Sequence, residues 1–229
     1  MKYSELICED DPKNITHIVT EITTKCQPFL KKISYETSDY LIFRGLGIYT
    51  PQLYDTKGEL ITAPGFNPNR YPKDTPRYLH KELNHIFTHL FKFPFRNGTF
   101  VTSNSDMAKD YGNVVLIIPI GEFHYLWSPH VKDLFEDWDE FESGEIFNAK
   151  QKGDPSPNIE DMCNKYLELM ERNVMQYRTI NLKDAIESGN EIMIYCDRYF
   201  VFPHKNLAVM TALKQIQKNH VTKNNKLPL

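Results

Sequence analysis

Three apolar stretches of this chain each carry one group able to act on a polar substrate. Arg44 stands in LIFRG, next to Ile42 and Phe43. A guanidinium there is costly to bury unless an anion meets it. Its planar fork suits a diphosphate or a carboxylate, and Gly45 lets a ligand come close to the backbone. Pairing of Arg44 with an internal carboxylate explains the segment equally well. Thr102 and Ser103, in FVTSNS, place two hydroxyls at a strand end just before a helix. Hydroxyls in that position orient a carboxylate or bind a ribose; they also serve as strand filler and helix cap. Glu191 opens the apolar run EIMIYC, so its carboxylate is either an exposed strand-start residue or one aimed into a cleft.

The elements that must position these groups follow from spacing and punctuation. Ile15, Ile18, Val19, Ile22, Cys26, Phe29, Leu30 and Ile33 predict a helix over residues 13–34, kinked at Pro28. Residues 39–47 read as a buried strand closed by glycines, and 48–76 as a long loop rich in Pro, Gly, Asn and Asp. Leu79, Leu83, Ile86, Phe87 and Leu90 predict a helix over 77–93. A strand at 98–104 precedes a short helix capped by Ser105 or Asp106 and stopped by Gly112. Residues 114–121 read as a strand that 123–128 extends, and 130–157 as an exposed acidic stretch. A helix over 158–177 turns Ile159, Met162, Cys163, Tyr166, Leu167, Met170 and Val174 inward. Residues 181–190 form a short helix or loop, 191–203 a hairpin turning at Asp197-Arg198, and 206–217 a last helix before a frayed tail. The irregular alternation of strands and helices predicts an α+β fold.

Taken together and in order, the three chemical segments resemble the mono-ADP-ribosyltransferase superfamily, in the branch marked by arginine, then serine, then glutamate. Its aromatic–Arg–Gly element is matched by Phe43-Arg44-Gly45. Its Phe-x-Ser-Thr-Ser strand is matched by Phe100-Val101-Thr102-Ser103-Asn104, with Ala108 and Tyr111 in the following helix. Its glutamate followed by aliphatics is matched by Glu191-Ile192-Met193-Ile194. The likeness spans residues 39–202 in outline and points to enzymes of bacteriophages and of bacterial toxin or defence systems. It implies one domain with two small packed β-sheets around an NAD cleft. Residues 1–37 would be an N-terminal helical part, 38–203 the catalytic core, and 204–229 a C-terminal helix and tail.

The resemblance also implies a chemistry. NAD⁺ is the co-substrate, cleaved at its nicotinamide–ribose bond, and ADP-ribose passes to an intracellular macromolecule. Arg44 would clamp the diphosphate, and the Gly45 backbone would hold the nicotinamide amide. Thr102 would orient Glu191, which meets the charge developing on the ribose. Ser103 and Tyr111 would line the ligand, and residues 178–190 would present the acceptor. Two departures stand out: Thr102 replaces the family serine, and Gly189 replaces the acidic or amide residue two positions before the glutamate, with Glu187 one turn back. The acceptor therefore stays open between protein and nucleic acid. The alternatives are an NAD glycohydrolase, which would release free ADP-ribose, and a non-catalytic binding or structural protein of related fold, in which Arg44 would be paired internally.

Bulk properties narrow the field. A chain of 229 residues that is 41% hydrophobic can remove roughly 70% of its unfolded surface from water. Its net charge of -3 gives no global basic field for nucleic acid, so any such grip is local, with Lys and Arg between residues 70 and 96 as candidates. Arg96 and Asn97 precede a strand and either line the cleft or shape a turn. The four cysteines, Cys8, Cys26, Cys163 and Cys196, have no metal-ligand spacing, which predicts reduced thiols. His85 and His89 share an i, i+4 spacing, but no glutamate follows His85 in the metalloprotease pattern, so no metal is expected. The acidic MKYSELICEDDPKN start and the lack of any apolar run of roughly 18 residues predict a cytoplasmic protein without a membrane span. A toxin of this kind would require a neutralising partner.

Overall fold

A computed structural model describes residues 12–47, 52–70, 75–173 and 176–224. The first strand, β1 (Phe43–Leu46), follows two helices, α1 (Pro12–Lys25) and α2 (Gln27–Lys32). The expected single kinked helix is thus two, broken at Cys26, with Pro28 in the first turn of α2, where its missing N–H costs nothing. Next come β2 (Thr62–Pro64), α3 (Arg77–Phe91), a 3₁₀ turn at Phe95–Asn97, and β3 (Thr99–Val101). Strand β2 lies inside the stretch expected to be loop. After α4 (Ser105–Asp110) the strand β4 runs unbroken through Asn113–Trp127. Helices α5 (Leu134–Lys152), α6 (Ile159–Asn173) and α7 (Leu182–Ser188) precede β5 (Ile192–Pro203) and α8 (Leu207–Asn224).

The strands form one antiparallel sheet in the order β1-β4-β5-β2, with β3 also on β5. The class is α+β as expected, but the two small packed sheets are replaced by one connected sheet. The reason lies in β5. The expected hairpin at Asp197-Arg198 does not form: Ile192–Ile194 pair with β3 and Arg198–Phe200 with β2 along one continuous strand. Arg198 donates from Nε to the Thr62 hydroxyl at 3.1 Å, so the polar pair anchors an edge strand instead of making a turn.

Contacts divide the chain into two compact units, each assembled from separated stretches. The first holds residues up to Pro64, Ser103–Phe123 and Cys196–Leu229. Ile18 and Ile22 of α1, one turn apart, are fully buried, as are Ala208, Ala212 and Leu213 of α8. Thr37 fixes the link to β1 by donating to the Leu213 carbonyl at 2.6 Å.

The second unit holds Gly65–Thr102 and His124–Tyr195. Leu79, Leu83 and Phe87 of α3, at i, i+4 and i+8, meet Met162, Cys163, Tyr166 and Met170 of α6 in one apolar cluster with Trp138. Trp138 stands edge-on to Tyr166, with ring centres 5.3 Å apart. The acidic stretch expected to be exposed carries the helix α5. Asp133 caps it by accepting from the Phe135 and Glu136 amides, and Gly153 ends it in a left-handed conformation. Ile159, expected to face inward, is exposed because it starts α6 ahead of the buried stripe, while Val174 lies outside the described residues. The acidic start as far as residue 11, with Cys8, also lies outside them, as do residues 48–51, 71–74 and 225–229. Residues 218–224 continue α8 where a frayed tail was expected. Among the described residues no helix is long and apolar enough to cross a membrane.

Candidate active site

Glu191 belongs to the second unit, where the backbone leading into β5 is tied down on several sides. The Glu191 amide donates to the Lys132 carbonyl at 2.7 Å. Asn190 donates from Nδ2 to the Ser128 carbonyl at 2.9 Å. Thr102, buried at the end of β3, donates its hydroxyl to the Gly189 carbonyl at 2.6 Å. The other end of this loop is fastened as firmly. Trp127 and Arg178 exchange two backbone hydrogen bonds, and the Trp127 indole N–H donates to the Ile180 carbonyl at 3.0 Å. Residues 178–190 are therefore a loop and helix clamped at both ends, with Glu191 at the exit.

The glycine at 189 has a local cause. It ends α7 with φ of 72°, a left-handed conformation that an acidic residue adopts only with strain. Thr102 acts on the chain two residues before Glu191, through the Gly189 carbonyl.

Among the described residues the Glu191 carboxylate forms no ion pair and no hydrogen bond. Burial, and then the negative charge of Asp133, push its pKa up to about 7; Arg96 and Arg70 pull the other way. A carboxyl group with that pKa exchanges its proton near neutrality, as an acid–base or charge-matching group requires. The two arginines flank one ring: the Arg70 guanidinium carbon lies 3.9 Å and that of Arg96 4.9 Å from the centre of Phe100. Arg70 also donates from Nη1 to the Gly98 carbonyl.

His80 and Asn97 complete this neighbourhood. His80 is buried, with Nε2 3.2 Å from the Asn97 side-chain oxygen. Burial, aided by the charges of Arg96 and Arg70, pushes the His80 pKa down to about 4, so the ring is neutral at physiological pH. Sequence reading singled out Arg96 and Asn97 but passed over His80 and Tyr177. His80 falls at i, i+3 and i+7 with Leu83 and Phe87, which marks it as inward-facing on α3; His85 and His89 fall off that stripe and are exposed. Tyr177 carries no such local signal.

Arg44, Gly45, Ser103 and Tyr111 lie in the first unit. Arg44 pairs with Val115 in the β1–β4 ladder and donates from Nη1 to the Tyr199 hydroxyl at 2.9 Å. A Cβ on Gly45 would come within 2.2 Å of the Ala108 carbonyl oxygen and 2.7 Å of the Tyr111 Cβ. The absence of a side chain at 45 is therefore explained by α4 resting on β1. Asn104, not Ser105 or Asp106, caps α4, accepting from the Asp106 and Met107 amides. Tyr111 follows the last turn of α4 and is 43% exposed. Ser103 is half-buried at the step from β3 to α4. The structure thus joins Thr102 to the segment entering Glu191, and Gly45 to Tyr111, in separate units. Among the described residues no group of three or more His, Cys, Asp or Glu side chains could hold a metal ion.

No protein-family model matches the chain, and no curated protein and no solved structure matches it.

Proposed function

We propose that this protein is an NAD-dependent ADP-ribosyltransferase, with the charge-bearing role at Glu191. The observation that carries this reading is the setting of that carboxylate. It opens a central strand, lacks a partner among the described residues, has its pKa near neutrality, and follows a loop held by the Thr102 hydroxyl.

In the proposed reaction the C1′–N bond of the nicotinamide ribose breaks and its electron pair leaves with nicotinamide, which departs neutral. Positive charge spreads over C1′ and the ring oxygen, and the ionised Glu191 carboxylate, bound to a ribose hydroxyl, offsets it. A nucleophilic atom of the acceptor then bonds to C1′ and gives up its proton. Thr102 is a positioning residue: by holding the Gly189 carbonyl it sets where Glu191 enters β5. Arg44 supplies the cation for the diphosphate, with Tyr199 holding its guanidinium in place. Gly45, Ser103 and Tyr111 are assigned to the ligand wall. The acceptor is an intracellular protein or nucleic acid, presented by residues 178–190, and a neutralising partner belongs to the same proposal.

The bond from Arg44 to Tyr199 favours one second reading, a related fold without catalysis in which Arg44 is structural. The two separate on incubation with NAD⁺ labelled in its adenylate phosphate and a bacterial lysate, beside Glu191→Gln. Transfer predicts label in macromolecules with the wild type only, and protease or nuclease digestion then names the acceptor class. Label appearing only as free ADP-ribose makes the enzyme a glycohydrolase; label left in NAD⁺ supports the structural reading.

A further inference from the structure

Helix α5 outruns the core it packs on. Only Leu134 and Trp138, near its start, are buried, and every residue from Asp139 to Lys152 is at least partly exposed. Its inward face is fixed by Trp138 in the apolar cluster and by Glu145, whose carboxylate meets Lys165 of α6 at 2.7 Å. Phe147 follows Trp138 by nine residues, about two and a half helical turns, and so points away from that face. It is 59% exposed, and Ile146 beside it is 42% exposed. A phenyl ring held out in water on a helix gains from cover by another surface.

The charges on this outward face match their own reverse. Glu136, Glu140, Ser143, Phe147 and Lys150 are all exposed and follow one another at steps of four, three, four and three, the spacing of one contact seam along a helix. The acids lie before Ser143 and the lysine after it. Glu136 and Lys150 each stand seven residues, about two turns, from Ser143. Asp139, Glu140 and Lys150 have no ion-pair partner among the described residues, and Glu136 meets only Lys132, at 3.5 Å in an exposed pair. One turn before Lys150 stand Ile146 and Phe147, so its own helix offers it no acid there.

We infer that this face is where two copies of the chain associate, α5 against α5, antiparallel about a two-fold axis at Ser143. Reversing one helix sets Glu136 against Lys150 of the second copy, and the symmetry forms that pair twice. The small Ser143 side chain lets the helices come close at the crossing. Each Phe147 enters the space between Ser143 and Glu140 of the other copy, as a knob enters a hole. A parallel arrangement would set Glu136 against Glu136 and Lys150 against Lys150, so charge decides the orientation. A basic partner of another kind would match only the acidic half of the seam. One helix face covers little area, so the dimer is weak and forms at micromolar concentration or above. The inference does not depend on the reaction proposed above.

Sedimentation equilibrium of the full chain from about 1 μM to 1 mM tests it. Wild type is expected to pass from monomer to dimer within that range. Phe147→Ser changes a side chain that the monomer leaves exposed, so Tm should hold while association weakens roughly 10-fold or more. Glu136→Lys and Lys150→Glu each bring like charges together twice and should weaken association about 10-fold. Mixed in equal amounts, those two variants restore both opposite-charge pairs and should associate with close to wild-type affinity. A wild type that stays monomeric throughout, a Phe147→Ser variant that dimerises like wild type, or a mixture no tighter than either charge variant alone overturns the proposal.

Discussion

The Thr102 hydroxyl donates to the Gly189 carbonyl across 2.6 Å, joining the end of β3 to the residue that closes α7. Thr102→Val keeps the side-chain shape but leaves that half-buried carbonyl without its donor, a loss of about 1–3 kcal/mol. In a chain of this size that lowers Tm by several degrees. Thr102→Ser keeps the hydroxyl and should hold Tm within about a degree of wild type. NAD⁺ turnover should follow the same order, with kcat falling more than KM rises for the valine variant, because the entry of Glu191 into β5 is what moves. Equal Tm for the valine and serine variants would show that this bond positions nothing.

Glycines 45 and 144 make opposite predictions. At Gly45 a methyl group would sit 2.2 Å from the Ala108 carbonyl oxygen, a backbone atom that cannot swing aside. Gly45→Ala should therefore push α4 off β1 and destabilise by at least 1–3 kcal/mol, as overpacking does. Gly144 lies inside α5, where an added Cβ meets nothing within 4 Å. Gly144→Ala should stabilise by roughly 0.5–1 kcal/mol through helix propensity alone. Urea denaturation of the two variants gives both signs.

Helix α3 was legible because Leu79, Leu83 and Phe87 repeat at helical spacing, and β4 because fifteen residues carry a nearly unbroken apolar run. Helix α5 was not, since only Leu134 and Trp138 of its nineteen residues are buried, and two anchors make no stripe. Its Asp133 cap and Gly153 stop were the signals available. Strand β5 was misread because Asp197 and Arg198 interrupt the apolar pattern as turn residues do. The partner that keeps Arg198 in a strand, Thr62, is remote in sequence. Sequence distance likewise hides the unmet polar atoms of His80, Arg96 and Tyr177: each stands in a different part of the chain, and only folding buries them.

The Asn104 cap offers a local check on α4. Its Oδ1 accepts from the Asp106 amide at 3.0 Å and the Met107 amide at 3.2 Å, two donors that a six-residue helix cannot satisfy itself. Asn104→Ala should cost about 1 kcal/mol, whereas Asn104→Asp keeps the acceptor and should cost little. Ser105→Ala should be close to neutral, because the cap is one residue earlier. Thermal melts of the three variants distinguish a cap at 104 from one at 105.

The pH dependence of stability follows from two groups with opposite shifts. Glu191 has its pKa raised from 4.5 to about 7, so between those values the folded chain holds a proton that the unfolded chain has lost. Its contribution to stability is therefore full below about pH 4.5 and declines as pH rises to about 7. His80 is lowered from 6.5 to about 4, so there the unfolded chain holds the extra proton, and its contribution is lost as pH falls through that window. Glu191→Gln removes the first trend and leaves the second. The stability of the variant relative to wild type should thus grow between pH 5 and pH 8, by up to about 3 kcal/mol, and level off above. Wild-type turnover of NAD⁺ should rise over the same range as Glu191 loses its proton, and the variant should lack the rise while losing at least 10²-fold in rate. Urea denaturation of both proteins at pH 5, 6, 7 and 8 reads the stability trend without any substrate. A difference that stays constant across those four conditions would mean that Glu191 titrates as an ordinary exposed carboxylate, and the expected rise of turnover between pH 5 and pH 8 would go with it.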